Sequence, residues 1–214
     1  MRVFRDRVEA GYALAHALKE SGLGNGDLLV LAIPRGGVVV GAQVAREFRA
    51  PLDVWMSHKI GAPGNAELAI GSVSSHGELV LDRHAIAALG VGAEYLQEAI
   101  RREREELHRR MIAFRGHAEP VQVKGRTVVL VDDGVATGAT AFSALAALQR
   151  GGAAQRILAV PVAPLEVVPE LEKAADRVVI LSAEPVFSAV GQFYEQFPQV
   201  SDEEVIALLA KFPR

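Results

Sequence analysis

The sequence predicts an α/β fold built on a mostly parallel, doubly wound sheet. Short apolar runs of strand length alternate with segments of helical periodicity. "DLLVLAI", from Asp27 to Ile33, and "RTVVLV", from Arg126 to Val131, are almost wholly apolar, as strands buried on both faces of a parallel sheet are. Strands that alternate with helices in this way imply a parallel sheet covered by helices on both faces.

The first half of the chain begins with a helix from Arg5 to Glu20, which "SGLGNGD" ends. The next predicted helix is "VVVGAQVAREF", and "PLDVWMSHKI" is interpreted as one strand. "GAPGNAELAIG" is rich in Gly, Pro and Asn, which favours a long mobile loop. "SVSSHGELVL" is interpreted as a hairpin that turns at His76 and Gly77.

The second half is predicted to be helical from Asp82, with a long charged helix from Gly92 to Arg115. The remaining predicted elements are the strand at 126–131, a helix at 137–150 and strands at 156–162 and 177–182. The tail "SDEEVIALLAKF" is expected to be a capped helix, because Ser201 precedes Glu204 by three positions.

Composition limits the classes of protein to consider. The chain has 214 residues, half of them hydrophobic, which is enough for one full core, and a single domain over 1–214 is expected. It has no cysteine, which excludes disulfides and thiolate sites. A net charge of −3 and short apolar runs favour neither nucleic acid nor membrane as a partner. The N-terminus has no signal-peptide pattern, so a cytoplasmic location is expected.

"RTVVLVDDGVATGAT", from Arg126 to Thr140, joins a strand to two adjacent carboxylates and a loop of small residues. Asp132 and Asp133 repel each other and lose hydration unless a ligand compensates them. The small residues leave backbone N–H groups open, and the helix that follows favours an anion. The two carboxylates could accept hydrogen bonds from vicinal hydroxyls, and the loop could donate hydrogen bonds to a phosphate. A sugar phosphate carries both groups. The segment matches neither a Walker A loop nor a dinucleotide fingerprint.

"VVLVDDGVATGAT" resembles the motif with which type I phosphoribosyltransferases bind phosphoribosyl pyrophosphate (PRPP). The resemblance implies that Asp132 and Asp133 hold the ribose 2′- and 3′-hydroxyls and, through PRPP and water, assist Mg²⁺. The implied 5′-phosphate site is Ala136, Thr137, Gly138, Ala139 and Thr140. Hypoxanthine–guanine members of the family carry an acid where this chain has Ala136, so a close relation to that branch is not expected.

"AIPRGGVVVG" resembles the pyrophosphate loop of the same family. Arg35 is the expected cation, and Gly36 and Gly37 allow the backbone to approach the ligand closely. The resemblance also implies a cis peptide bond between Pro34 and Arg35. A plain strand-to-helix turn is the alternative interpretation.

"SHKIGAPGNAELAIGSV" stands where the family has a flexible loop that closes over PRPP and excludes water. Lys59, with His58 beside it, is the expected cation for pyrophosphate. Glu67 is the expected partner of Mg²⁺ or of the incoming nucleophile. Lys59 and Glu67 are therefore counted with Asp132 and Asp133 as catalytic candidates.

The hood that reads the base in this family is expected to be built from about residues 1–22 and 184–214. Its aromatic residues are candidates for stacking on a planar acceptor, and the alternative is that they only pack the core of the hood. The candidates are Phe187, Phe193 and Tyr194, with Phe197 close by.

The resemblance as a whole implies an enzyme that uses PRPP and Mg²⁺ to transfer a phosphoribosyl group to a nitrogen of a nucleobase or related heterocycle, with release of pyrophosphate. A homodimer is among the expectations. The alternative from another class is a regulatory protein that keeps this fold and senses PRPP without catalysis.

Overall fold

The computed structural model describes residues 2–24, 26–75, 77–117, 119 and 121–212. The chain separates into two compact units. The first, here called the sheet unit, comprises Met1–Trp55 and Val121–Arg214. The second, the hairpin unit, comprises Met56–Pro120. The single domain over 1–214 stays a prediction.

The elements follow the predicted alternation of helices and strands. The helices are α1 (Arg7–Glu20), α2 (Gly36–Phe48), α3 (Arg83–Ala88), α4 (Ala93–Arg115), α5 (Ala139–Arg150), α6 (Val168–Ala174) and α7 (Asp202–Leu209). The strands are β1 (Leu28–Ala32), β2 (Leu52–Val54), β3 (Ser57–Ala62), β4 (Asn65–Ser74), β5 (Leu79–Leu81), β6 (Thr127–Val131), β7 (Gln155–Pro164) and β8 (Arg177–Glu184).

The sheet unit contains a five-stranded parallel sheet in the order β2-β1-β6-β7-β8. Every residue of β1 is buried, as its uninterrupted apolar run predicts. The predicted α/β class with a mostly parallel sheet is confirmed.

Helices cover both faces of this sheet. On one face, Leu29 and Leu31 of β1 belong to a core cluster that includes residues of α5 and α6. On the other face, a Cβ at Gly41 of α2 would lie 3.0 Å from the Cβ of Ala32 and 3.6 Å from Val30 Cγ1. Because successive residues of a strand point to opposite faces, these contacts establish the doubly wound arrangement.

The C-terminal helix α7 begins as its sequence predicts. Ser201 accepts a hydrogen bond from the N–H of Glu204, and the Glu204 carboxylate accepts one from the N–H of Ser201. The predicted capping box is confirmed.

The hairpin unit contains an antiparallel sheet in the order β3-β4-β5, with α3 and α4. Ile60, Ile70 and Ala99 are buried in its core. The predicted hairpin between β4 and β5 is confirmed, although His76, where the turn was placed, lies outside the described residues.

Two assignments in this region were wrong. "PLDVWMSHKI" is not one strand: it ends as β2 at Val54 and resumes as β3 at Ser57 in the other sheet. The segment interpreted as a loop is mostly strand, because β3 and β4 pair antiparallel, with register shifts on both sides of Gly61. The mobility of this segment stays a prediction. No helix among the described residues is long and apolar enough to cross a membrane.

The packing of α1 on α2 depends on Gly11. A Cβ there would lie 2.8 Å from the backbone oxygen of Val40 and 2.8 Å from Gln43 Cγ. The Gln43 side chain could move away from such a Cβ, but the α2 backbone at Val40 could move only together with the residues packed around it. Gly11 therefore fixes how closely α1 lies on α2.

We expect Gly11→Ala to lower the melting temperature by about 5 °C, because the forced separation of α1 and α2 costs about 1–3 kcal/mol and outweighs the helix propensity of alanine. Thermal unfolding followed by circular dichroism measures it. Gly24→Ala, where an added Cβ meets nothing within 4 Å, is the matched control. Equal melting temperatures for the two variants would contradict this account of the packing.

Candidate functional site

Two turns lie side by side at the carboxyl edge of the parallel sheet. β1 and β6 are neighbours with Ala32 paired to Val131, and the N–H of Ile33 donates to the oxygen of Val131 at 2.8 Å. The turn after β1, called the glycine turn because it contains Gly36 and Gly37, therefore begins at the same level of the sheet as the turn after β6. The latter contains Asp132 and Asp133 and is called the acidic turn. Ligands of doubly wound sheets bind at this edge.

The glycine turn touches the acidic pair directly. A Cβ at Gly36 would lie 1.9 Å from Asp133 Oδ2, and one at Gly37 would lie 2.9 Å from the Cα of Asp132. Only glycine fits at Gly36, which explains the "GG" of the sequence. The peptide bond between Pro34 and Arg35 is cis, which confirms that expectation.

Asp132 lies where its charge is disfavoured. Burial and the negative charge of Asp133 raise the pKa of Asp132 well above its usual value. Its Oδ1 accepts a hydrogen bond from the N–H of Asp133 at 2.8 Å, which offsets part of the desolvation. A ligand that donates hydroxyl protons to this carboxylate would offset more of it.

Asp133 has a different environment because it is paired with Arg7. Arg7 Nε donates to Asp133 Oδ2 at 2.7 Å, and the two side chains are only 9% and 15% exposed. The hydroxyl of Tyr194 donates to the backbone oxygen of Asp133 at 2.6 Å. Asp133 is thus held by both terminal segments of the chain.

The sequence interpretation missed Arg7, whose signal in the sequence is ambiguous. Arg7 is the first residue of α1, directly after the N-cap Asp6. A cation at a helix N-terminus is disfavoured by the helix dipole. Asp6 and Glu9 already place acids at this helix start, so the sequence alone does not connect Arg7 with Asp133.

The loop after Asp133 forms a cradle before α5. Gly138 has a φ of 80° and precedes the helix, and it offers no side chain to cap the first N–H groups of α5. A pocket of about 200 Å³ is lined by Asp132, residues 134–141 and Val190. The five residues predicted to bind the 5′-phosphate, 136–140, all line this pocket. The N–H of Ala139, the first of α5, donates to Thr137 Oγ1 only at 3.5 Å, so a phosphate at this helix start would be a better acceptor.

The family model of the phosphoribosyl transferase domain matches residues 7–198 of this chain. The chain belongs to that family. The match covers the glycine turn and the acidic turn, and the resemblance to type I phosphoribosyltransferases is confirmed.

Two relatives extend this finding. A Mycobacterium tuberculosis protein named "Putative phosphoribosyl transferase Rv0571c" is 40% identical over 214 residues, which are 100% of this chain and 48% of the relative. The chain therefore spans about half the length of the curated relatives it matches. The crystal structure of TT1426 from Thermus thermophilus is 45% identical and covers 99% of each chain with a TM-score of 0.84.

Arg35, expected to contact pyrophosphate in this phosphoribosyltransferase fold, directly precedes α2. Its Nη1 is 3.6 Å from Asp202 Oδ1, and the side chains are 40% and 51% exposed. Exposed pairs at this distance contribute little free energy. An anionic ligand would compete effectively for the guanidinium.

Lys59 and Glu67 belong to the hairpin unit, on β3 and β4. Lys59 Nζ donates to Glu67 Oε2 at 2.7 Å, and this hydrogen bond lowers the pKa of Glu67. Beside them, His58 Nδ1 is 3.2 Å from Glu103 Oε2. The structure thus pairs two catalytic candidates with each other, and their roles toward PRPP stay predictions.

The aromatic residues of the hood segments pack together. Phe193 is 0% exposed and Tyr194 is 6% exposed, in a small core with Phe4. The ring centroid of Phe187 is 4.9 Å from that of Phe193. The burial of Phe193 and Tyr194 favours the packing alternative over a base-stacking role in this conformation.

Opposite effects on stability are expected from neutralising the two acids. Asp132→Asn removes a desolvated charge and raises the melting temperature by about 3 °C, or about 1 kcal/mol. Asp133→Asn weakens the buried pair with Arg7 and lowers it by about 5 °C. Thermal unfolding at pH 7 measures both.

The stabilisation by Asp132→Asn depends on pH. The folded-state pKa of Asp132 is raised, so its ionisation costs stability above that pKa, and protonation removes the cost as the pH falls. The melting-temperature gap between Asp132→Asn and the wild type is expected to shrink from pH 7 towards pH 4. A gap that is constant over this range would contradict the assigned cause.

Proposed function

We propose that the chain binds PRPP together with Mg²⁺ and transfers the 5-phosphoribosyl group to a ring nitrogen of a nucleobase or related heterocycle, releasing pyrophosphate. One observation carries the proposal: the acidic pair, the glycine turn and the small-residue cradle meet at the same sheet edge. The family of the chain agrees with it.

The ribose and its phosphate occupy the acidic turn. Asp132 lines the pocket of the cradle and accepts one ribose hydroxyl. Asp133, which follows Asp132 in the chain but does not line that pocket, accepts the other. The 5′-phosphate takes hydrogen bonds from the first N–H groups of α5 and from the hydroxyls of Thr137 and Thr140. The carboxylates and the phosphate then have compensating partners.

The pyrophosphate occupies the glycine turn, where Gly36 and Gly37 carry no side chain that would keep it from the backbone N–H groups, and Arg35 supplies positive charge. The donor set fits Mg²⁺ as a companion of PRPP, because the two carboxylates lie beside the turn that takes the pyrophosphate. Mg²⁺ held there with PRPP would neutralise charge on the leaving group. Lys59, which pairs with Glu67 in this structure, is proposed as a further cation for the pyrophosphate.

The reaction breaks the bond between ribose C1 and the pyrophosphate oxygen, and the electron pair leaves with pyrophosphate. The acceptor nitrogen forms the new bond to C1 and releases its proton to water. As positive charge develops on the ribose ring, the residues of the two turns hold the reactants in line. No covalent intermediate on the protein is needed.

PRPP binding tests the first half of the proposal. With Mg²⁺ present, wild-type protein is expected to bind PRPP, and Asp132→Asn is expected to weaken binding by about 2 kcal/mol, since a charged acceptor of a ligand hydroxyl is lost. Isothermal titration calorimetry measures it, with Asp176→Asn, an exposed acid paired to Arg156, as the control. Equal affinities for wild type and Asp132→Asn would sink the assignment.

Acceptor choice tests the second half. Because Ala136 stands where the hypoxanthine–guanine branch has an acid, hypoxanthine and guanine are expected to be poor acceptors, with adenine, uracil or another heterocycle ahead of them. PRPP-dependent release of pyrophosphate across a panel of bases measures this. Efficient turnover of guanine would contradict the expectation, and tight PRPP binding without any turnover would favour the regulatory alternative.

A further inference from the structure

Arg7 makes three contacts that no other described arginine combines. Its Nε donates to Asp133 Oδ2 at 2.7 Å, and its Nη1 donates to the backbone oxygen of Pro198 at 2.7 Å. Its guanidinium carbon lies 3.7 Å from the centroid of the Phe197 ring. One side chain thus joins α1, the acidic turn and the segment before α7.

The same guanidinium lies against the glycine turn. A Cβ at Gly36 would be 2.8 Å from Arg7 Nε and 1.9 Å from Asp133 Oδ2. The pair of Arg7 and Asp133 is therefore packed against the turn proposed to hold pyrophosphate. The bond from Arg7 and the close approach of Gly36 together restrict rotation of the Asp133 carboxylate.

Only Oδ2 of the Asp133 carboxylate is hydrogen bonded among the described residues, by Arg7. No N–H or O–H of the described residues donates to Oδ1. The neighbouring Asp132 carboxyl interacts with the Asp133 carboxyl and cannot donate to it while ionised, which leaves Oδ1 to a ligand hydroxyl. The side chain of Asp133 keeps 15% of its surface exposed, so it is not sealed from a ligand. The Asp132 carboxylate accepts its hydrogen bond from the N–H of Asp133 instead, and the charge of Arg7 acts on it without a hydrogen bond among the described residues.

We propose that Arg7 is a positioning residue for sugar recognition: it fixes the Asp133 carboxylate so that Oδ1 accepts one ribose hydroxyl of PRPP. This inference rests on the proposed function. Arg7 acts through Asp133 and touches no reacting atom. Phe197 and Pro198 hold the guanidinium in the orientation that Asp133 requires, since an arginine fork has a rigid geometry.

The chemistry predicts which ligands depend on Arg7. A ligand with ribose hydroxyls donates hydrogen bonds directly to Asp133, and pyrophosphate has no ribose hydroxyl with which to do so. Loss of Arg7 is therefore expected to weaken PRPP and ribose 5-phosphate and to spare pyrophosphate. General damage to the fold would weaken all three ligands.

The experiment is calorimetry at 25 °C with Mg²⁺, using PRPP, ribose 5-phosphate and pyrophosphate as separate probes. Arg7→Gln is expected to weaken PRPP and ribose 5-phosphate about tenfold and to change pyrophosphate by less than about twofold. Arg7→Lys keeps the charge without the fork and is expected to fall between wild type and Arg7→Gln. Arg5→Gln is the matched control, because Arg5 is 64% exposed and pairs with Asp6.

A double-mutant cycle tests whether Arg7 acts through Asp133. Asp133→Asn alone is expected to weaken PRPP about tenfold, and Arg7→Gln/Asp133→Asn is expected to weaken it no further. If Arg7 and Asp133 acted independently, their tenfold losses of PRPP affinity would multiply to about a hundredfold in the double variant. If Arg7→Gln does not fold, the comparison of Arg7→Lys with Arg5→Gln decides the question.

The outcomes separate the two proposals. No binding of PRPP by the wild type overturns the proposed function and this inference with it. Normal PRPP affinity in Arg7→Gln, or equal losses for PRPP and pyrophosphate, overturns the inference alone. Tighter PRPP binding in Arg7→Gln also overturns it, because Arg7 would then compete with the ribose for Asp133.

Discussion

The turns after β1 and β6 lie so close together that a methyl group at Gly36 would overlap Asp133 Oδ2. This closeness follows from the parallel, in-register pairing of two neighbouring strands, which brings their carboxyl ends to one level. The close approach of the two turns also determines the charge environment of Asp132 and Asp133. Backbone packed against the acids removes water from Asp132, and Arg7 supplies the compensating charge at Asp133.

Much of the sheet unit was predictable because its signals are local. Apolar runs bounded by glycine and proline identify β1 and β6, and the spacing of Ser201 and Glu204 identifies the start of α7. The hairpin unit was predicted less well. "PLDVWMSHKI" is apolar across Trp55 and Met56, where one sheet ends and the other begins, so periodicity alone does not reveal the break.

The candidate site, too, was only partly predictable from the sequence. The cradle of residues 136–140 and the two turns were visible in the sequence, because small residues and acids at a strand end have few other uses. The partners of the acids were not visible. Arg7 precedes Asp133 by 126 positions, and no local pattern connects them. Burial of Phe193 was equally hidden, since an aromatic residue in a hood segment suits a core and a ligand alike.

The bonds from Arg7 to Asp133 and Pro198 span 126 and 191 positions of the chain. A contact between such distant residues can form only after the long loop between them has closed, and that closure costs conformational entropy. The pairing of β1 with β6 closes a loop of similar length, but it rests on a ladder of backbone hydrogen bonds, whereas Asp133 is joined to its arginine by side chains alone. Fraying of either terminal segment would then release Asp133 while the sheet stayed intact, so local opening and global unfolding would be separate events in hydrogen exchange.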